Sequence, residues 1–199
     1  LNQVIEFDKA ARTICVQPGI VLDQLNQYLK PHGLFYPVDV STANRATLGG
    51  MTGNNSCGAR SIRYGNMVHN VSSVEALLAD GTHAHFKSVN GPPEDNLAYQ
   101  RLVQKMLELG QREASEIRSR FPKLLRRVGG YNIDELIKEE PNMGRLLVGS
   151  EGTLGFFKRI HLDLQPIPPE KVLGVCHFPS FYEAMDATQH IVKLDPDAV

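Results

Sequence analysis

Apolar positions along the chain switch between two spacings, and the switches outline its elements. Gln3–Phe7 and Arg12–Val16 are short β-branched and apolar runs separated by Asp8-Lys9-Ala10-Ala11, a pattern that predicts a hairpin. Pro18-Gly19 breaks the chain. Val21, Leu22, Leu25 and Leu29 then recur at helical spacing, with Gly33 as the stop. From Tyr36 to Gly65 periodicity vanishes. Gly49, Gly50, Gly53, Gly58 and Gly65 stand among small polar residues, and the stretch reads as one long loop of the kind that carries function. Val71–Ala79 and His83–Phe86 flank Asp80-Gly81, a hairpin signal.

The longest helical pattern covers Pro93 to Arg120, where Leu97, Leu102, Met106, Leu109, Ala114, Ile117 and then Phe121 recur with charges between them. After Pro122 come a basic turn, Lys123 to Arg127, and Gly129-Gly130-Tyr131-Asn132. A short helix is predicted over Ile133–Lys138, a second glycine-rich loop over Gly149–Gly155 and a strand over Phe156–Leu164. Pro166, Pro168 and Pro169 form a stiff linker. Beyond it, Lys171–Phe178 reads as a strand and Ser180–Leu194 as a helix. No internal repeat is present.

Composition narrows the class. The 199 residues are 42% hydrophobic and 22% charged, and 21 basic against 22 acidic residues leave a formal charge of -1. That balance gives no electrostatic reason to expect nucleic acid or an anionic membrane as partner. No apolar run approaches the roughly 20 residues needed to span a bilayer, and the start lacks the pattern of a signal peptide. Cys15, Cys57 and Cys176 are widely spaced with no Cys-x-x-Cys pair, which points to a reducing, cytoplasmic or matrix-side setting. Leu1 opens directly into a strand-like run without Met, and the chain stops at Pro196-Asp197-Ala198-Val199 just after a helix. The expectation is a piece of a longer protein.

The chemistry concentrates in Ala46-Thr47-Leu48-Gly49-Gly50-Met51-Thr52-Gly53-Asn54-Asn55-Ser56-Cys57-Gly58. Glycines let backbone amides approach an anion closely, and successive amides facing one way form an anion-binding concavity. Thr47, Thr52, Asn54, Asn55 and Ser56 add short donors and acceptors. The set suits a pyrophosphate or the polar edge of a flavin ring. It is neither a Walker loop nor a Gly-x-Gly-x-x-Gly fingerprint, and on composition alone a tight turn packed on a strand explains it equally well. The second loop, Gly149-Ser150-Glu151-Gly152-Thr153-Leu154-Gly155, shifts the balance toward two loops converging on one ligand.

The ordered set Val16-Gln17-Pro18-Gly19, Pro37-x-Asp39, Thr47-Leu48-Gly49-Gly50, Tyr64-Gly65, Asp80-Gly81 and Gly149-Ser150-Glu151-Gly152-Thr153-Leu154-Gly155 resembles the FAD-linked oxidases of the vanillyl-alcohol oxidase / para-cresol methylhydroxylase superfamily. Within them it is most similar to the D-lactate, glycolate and D-2-hydroxyglutarate dehydrogenase branch, and the resemblance covers nearly the whole chain. It implies an α+β, PCMH-type FAD-binding domain over 1–166, with an antiparallel or mixed sheet flanked by helices. Residues 167–199 would begin a ferredoxin-like cap domain.

It also implies non-covalent FAD lined by Pro37, Thr47, Gly49, Gly50, Thr52, Gly53, Asn54, Ser56, Gly58, Tyr64 and Gly65, and farther along by Val71, Glu151, Gly152 and Phe157. Tyr131 and Asn132 would lie near the flavin. The family's principal pyrophosphate loop would precede Leu1, and its catalytic base and metal ligands would follow Val199. The insertion Pro92–Arg127, with Asn55-Ser56-Cys57-Gly58 and the run Arg126–Asn132, resembles a large subgroup fused to a C-terminal iron–sulfur region. The implied activity is oxidation of a small-molecule D-2-hydroxy acid, with electrons passed to an acceptor domain or protein.

Plainer readings stand beside these. Cys57 is a small residue in a crowded loop, off the position of a covalent flavin attachment. The histidines His32, His69, His83, His85, His161, His177 and His190 include His83-x-His85, which would point to one face of a strand, and a metal site there needs further ligands. The basic run Arg118–Arg127 is a solvated face with Glu113 and Glu116 as counter-charges, or a docking surface for a partner domain. The stripe from Leu97 to Phe121 is core packing. Two other functions remain open: a flavin oxidase acting on another alcohol, sugar or amine, and a non-catalytic nucleotide-binding module.

Overall fold

The computed structural model describes residues 1–92, 94–124 and 126–198. Pro93, Leu125 and Val199, taken in above by the long helical pattern, the basic run and the chain end, lie outside the described residues. In chain order the elements are β1 (Val4–Asp8), β2 (Thr13–Val16), α1 (Leu22–Leu29), β3 (Leu34–Phe35), α2 (Leu48–Asn54), α3 (Ser61–Tyr64), α4 (Met67–Asn70) and β4 (Val71–Leu77). They continue with β5 (His83–Phe86), α5 (Leu97–Arg120), α6 (Met143–Leu147), β6 (Phe156–Asp163), β7 (Gln165–Pro166) and α7 (Phe181–Ile191).

An antiparallel five-stranded sheet in the order β1-β2-β6-β4-β5 forms the frame. The last long strand in the sequence, β6, lies at its centre and joins the two hairpins. On β6, Ile160 and Leu162 are fully buried and alternate with Arg159, His161 and Asp163 on the other face. Ile14 and Val16 of β2, Val74 and Ala76 of β4, and Leu22, Leu25 and Leu29 of α1 join them in one core. β3 and β7 form a separate two-stranded ladder, Leu34 against Pro166. The observed α+β architecture matches the sequence expectation.

α5 starts at Leu97 because the Asn96 carboxamide oxygen accepts from the amides of Ala98 and Tyr99, the standard use of Asn at a helix start. A 3-10 turn, Ile133–Ile137, packs on it where Gly110 leaves room; a Cβ there would stand 2.7 Å from that of Leu136. The expected helix at Ile133–Lys138 is thus a tighter turn.

Two expectations need correction. The stretch from Tyr36 to Gly65 is not a continuous loop: it holds α2 and α3, with α4 just after. In α2, Leu48, Met51 and Thr52 fall at i, i+3 and i+4 and are all buried, so tertiary burial offsets the low helix propensity of Gly49, Gly50 and Gly53. Lys171–Phe178 is not a strand. It has no regular structure and no ladder partner among the described residues, and Val172 is 96% exposed.

Candidate functional site

Two glycine-rich segments meet. The first is fixed at its front by the chain break at Pro18-Gly19: the amide of Gly49 donates to the Pro18 carbonyl (2.7 Å) and that of Leu48 to the Ile20 carbonyl (2.9 Å). Thr47 caps α2, its hydroxyl accepting from the Gly50 amide at 3.3 Å. At the far end, last-turn carbonyls of α2 receive the second segment. The Gly149 amide donates to the Thr52 carbonyl and the Glu151 amide to the Gly53 carbonyl, both at 2.9 Å.

The second segment turns tightly. Thr153 donates its amide to the Ser150 carbonyl at 2.9 Å, and both central residues, Glu151 (φ +51) and Gly152 (φ +76), are left-handed. Positive φ at both central positions is the signature of a type I′ turn, and Glu151 holds it without glycine's freedom.

Between the segments opens a cleft of about 590 Å³. Pro18, Gly19, Thr47, Gly49, Gly50 and Gly53 form one wall; Glu151, Gly152, Gly155, Phe156 and Phe157 form the other. Much of that surface is bare backbone. A Cβ on Gly53 would meet nothing closer than 3.9 Å, one on Gly152 nothing within 4 Å, and one on Gly50 only the Thr47 hydroxyl. Among the described residues neither Lys nor Arg lines the cleft, so an anionic ligand group would be held by amides and hydroxyls. Glu151 is the one ionisable side chain that lines it among the described residues.

Of the residues expected at the site, the structure brings Thr47, Gly49, Gly50, Gly53, Glu151, Gly152 and Phe157 to this cleft. The others stand elsewhere. Pro37 is buried beside Tyr36. The Thr52 hydroxyl donates back to the Leu48 carbonyl (2.7 Å), and Asn54 donates to the Ser56 hydroxyl (3.0 Å). Gly58 lies against Asp39, Gly65 against the His69 ring, and Val71 is fully buried opposite Leu162. Tyr64 packs edge-on against Phe35 and lines a separate cavity of about 630 Å³ shared with the 168–198 segment. Leu1, Pro18, Gly19, Gly155 and Phe156 also line the cleft; none was among the expected cofactor-lining residues, although Pro18-Gly19 and Gly155 lie in the motifs that carry the family resemblance.

The run from Arg126 to Asn132, at and just past the end of the insertion, braces both loops. The Arg127 carbonyl accepts from the carboxamides of Asn55 (3.3 Å) and Asn66 (3.2 Å), and the Arg126 guanidinium donates to the Gly58 carbonyl (3.2 Å). Asn55 is buried and left-handed (φ +51), and its side-chain oxygen accepts from the Val68 amide at 3.0 Å. The Arg127 guanidinium bonds Asp134 at 2.5 Å and lies over the Phe121 ring. Tyr131 and Asn132 reach the second loop: the Tyr131 hydroxyl meets that of Thr153 at 2.8 Å, and Asn132 donates to the Val148 carbonyl at 2.7 Å.

Reactive groups lie apart from the cleft. Burial pushes the Cys15 thiol up to about 11, with Glu75 and Glu6 adding to it. His85 stacks on His161 and shares a hydrogen bond with the Ser73 hydroxyl at 2.7 Å; burial, then His161, holds its pKa below the ordinary value. No set of three or more metal-ligating side chains is assembled among the described residues.

Residues 1–87 match the family model of an FAD binding domain. The chain is 35% identical over 195 residues to a D-2-hydroxyglutarate dehydrogenase of Pantoea ananatis, an alignment covering 94% of this chain and 19% of that protein. It is 31% identical over 193 residues to a probable mitochondrial D-lactate dehydrogenase of Danio rerio, covering 97% of this chain and 30% of that one. Among solved structures, alkyldihydroxyacetonephosphate synthase superposes with a TM-score of 0.61 at 20% identity, over 99% of this chain and 28% of its own. The chain therefore spans less than a third of the length of these proteins.

Proposed function

We propose that this chain, whose residues 1–87 match the family model of an FAD binding domain, is the cofactor-holding part of a flavoprotein oxidising a D-2-hydroxy acid. The observation that carries the reading is the locking of Gly149 and Glu151 onto the carbonyls of Thr52 and Gly53, which leaves a cleft walled by backbone. Such a wall fits FAD, whose phosphates and ring edge are read by amides and whose flat ring needs space free of side chains. When bound, FAD supplies the acceptor for the hydride of the substrate α-carbon.

This chain's residues do the holding. The Thr47, Gly49, Gly50 and Gly53 wall takes the polar parts of the cofactor, and Phe156 and Phe157 offer apolar surface across from it. Among the described residues no His or Lys lines the cleft, and Glu151 is exposed, so the base that takes the substrate hydroxyl proton belongs outside this cleft. An electron acceptor domain or protein, an iron–sulfur centre among the candidates, would complete the turnover. D-2-hydroxyglutarate and D-lactate are the substrates named for the relatives. Cys15, Cys57 and Cys176 are all free thiols, in keeping with a reducing, cytoplasmic or matrix-side setting.

The test is an absorption spectrum of the full-length protein, taken before and after anaerobic addition of each acid. Oxidised flavin bands that bleach with one acid are expected and name the substrate. Bands that ignore both would remove the substrate assignment, and a protein that takes up no FAD on reconstitution would remove the cofactor assignment too.

A further inference from the structure

The Glu151-Gly152 turn is strained at Glu151, yet both of its central residues line the cleft. A chain of hydroxyls closes over it. The Thr153 hydroxyl lies 2.6 Å from the Ser150 carbonyl, an acceptor only, so Thr153 donates there. Its single proton being committed, the 2.8 Å contact with Tyr131 must be a donation from the tyrosine to Thr153. The Ser150 carbonyl also takes the Thr153 amide. Tyr131 thus feeds a two-step relay ending on the carbonyl that defines the turn, and relays of this kind polarise and strengthen one another.

Tyr131 is itself anchored. Its neighbour Asn132 is buried and bonded to the Val148 carbonyl, just before the turn. Four residues upstream, the Arg127 carbonyl is gripped by the Asn55 and Asn66 carboxamides. The backbone on either side of the tyrosine is thus tied down, and its hydroxyl reaches the turn.

We infer that Tyr131 is a positioning residue for the cofactor cleft, acting through Thr153 to hold the Glu151-Gly152 turn in its cofactor-receiving form. The inference rests on the FAD reading of the cleft. A pre-set loop spares the ligand the cost of ordering it, so removing the relay should weaken FAD binding without weakening the folded apoprotein.

The experiment is a flavin-fluorescence titration of the deflavinated full-length protein with FAD, beside thermal unfolding without FAD. Tyr131→Phe should raise the FAD dissociation constant about threefold to tenfold, the scale of one hydrogen bond, with the unfolding temperature of the apoprotein unchanged. Thr153→Val should weaken binding as well, the double variant no further than Thr153→Val alone, and Thr153→Ser should bind as the parent does. Parent-like binding by Tyr131→Phe, additive losses in the double variant, or a loss of apoprotein stability that accounts for the weaker binding would each overturn the inference. A parent protein that binds no FAD would instead overturn the reading beneath it.

Discussion

A Cβ on Gly53 would stand 3.9 Å from the Glu151 Cα and the Gly152 nitrogen, whereas one on Gly58 would overlap the Asp39 carbonyl oxygen. The two glycines share a segment and a residue type, and they answer different needs. Gly53 keeps a wall of the cleft bare; Gly58 lets two backbones touch. Gly53→Ala should raise the unfolding temperature of the apoprotein, since alanine in a helix is favoured over glycine by roughly 0.5–1 kcal/mol, while weakening FAD binding through the added methyl. Gly58→Ala should lower the unfolding temperature with or without FAD. Thermal unfolding of both variants, each with and without FAD, checks the pair. Identical behaviour would mean that the cleft wall has been misassigned. The sequence alone ranks all these glycines together, because what a Cβ would meet is decided by chain segments far away along the sequence, such as Asp39 against Gly58.

At the scale of elements, hairpins and long helices were legible because their signals are local: Asp80-Gly81 between two apolar runs, and the repeat from Leu97 onward. α2 was hidden, since its seven residues hold only one short apolar spacing among three glycines. α6 was hidden too; its start is set by Asn142, whose side-chain oxygen accepts from the amides of Gly144 and Arg145 and whose side-chain nitrogen donates to the Ser72 carbonyl of β4. His85, on the sheet face away from the core, and His69, in α4, carry a titration consequence. Burial lowers the pKa of His85, with His161 next, and that of His69, with Lys138 next, from 6.5. The folded chain then binds fewer protons than the unfolded one in mild acid. This contribution is intact above pH 6.5 and is lost as pH falls through that value toward the depressed ones. Denaturant midpoints should accordingly drop between about pH 7.5 and about pH 5.5. In His85→Gln, which can keep a bond to Ser73, the drop should shrink; an unchanged drop would place the effect elsewhere. Asp163, raised by burial, works in the opposite sense and at lower pH.

Across the whole molecule the thiols report where packing is complete. Cys15 is buried in the central sheet, Cys57 is half-buried in the loop after α2 and Cys176 is exposed in the segment that follows the proline linker. Around Cys176, Val172 is 96%, Leu173 88% and Phe181 81% exposed, an apolar surface with nothing over it among the described residues. Apolar area of that density is ordinarily covered by further structure, which is the physical ground for proposing that 167–199 begins a second domain. Thiolate is the reacting species, so at about pH 8 Cys15, with its pKa pushed up to about 11, should resist alkylation until the chain unfolds. Cys57 should react slowly. Cys176 decides the domain proposal: mass spectrometry of the labelled full-length protein should find it protected, because a second domain would cover the surface around it. Rapid labelling of Cys176 there, at the rate of the denatured protein, would leave the surface open and remove the reason for placing a domain on it. Rapid labelling of Cys15 would contradict the sheet itself, since β2 is held between β1 and β6.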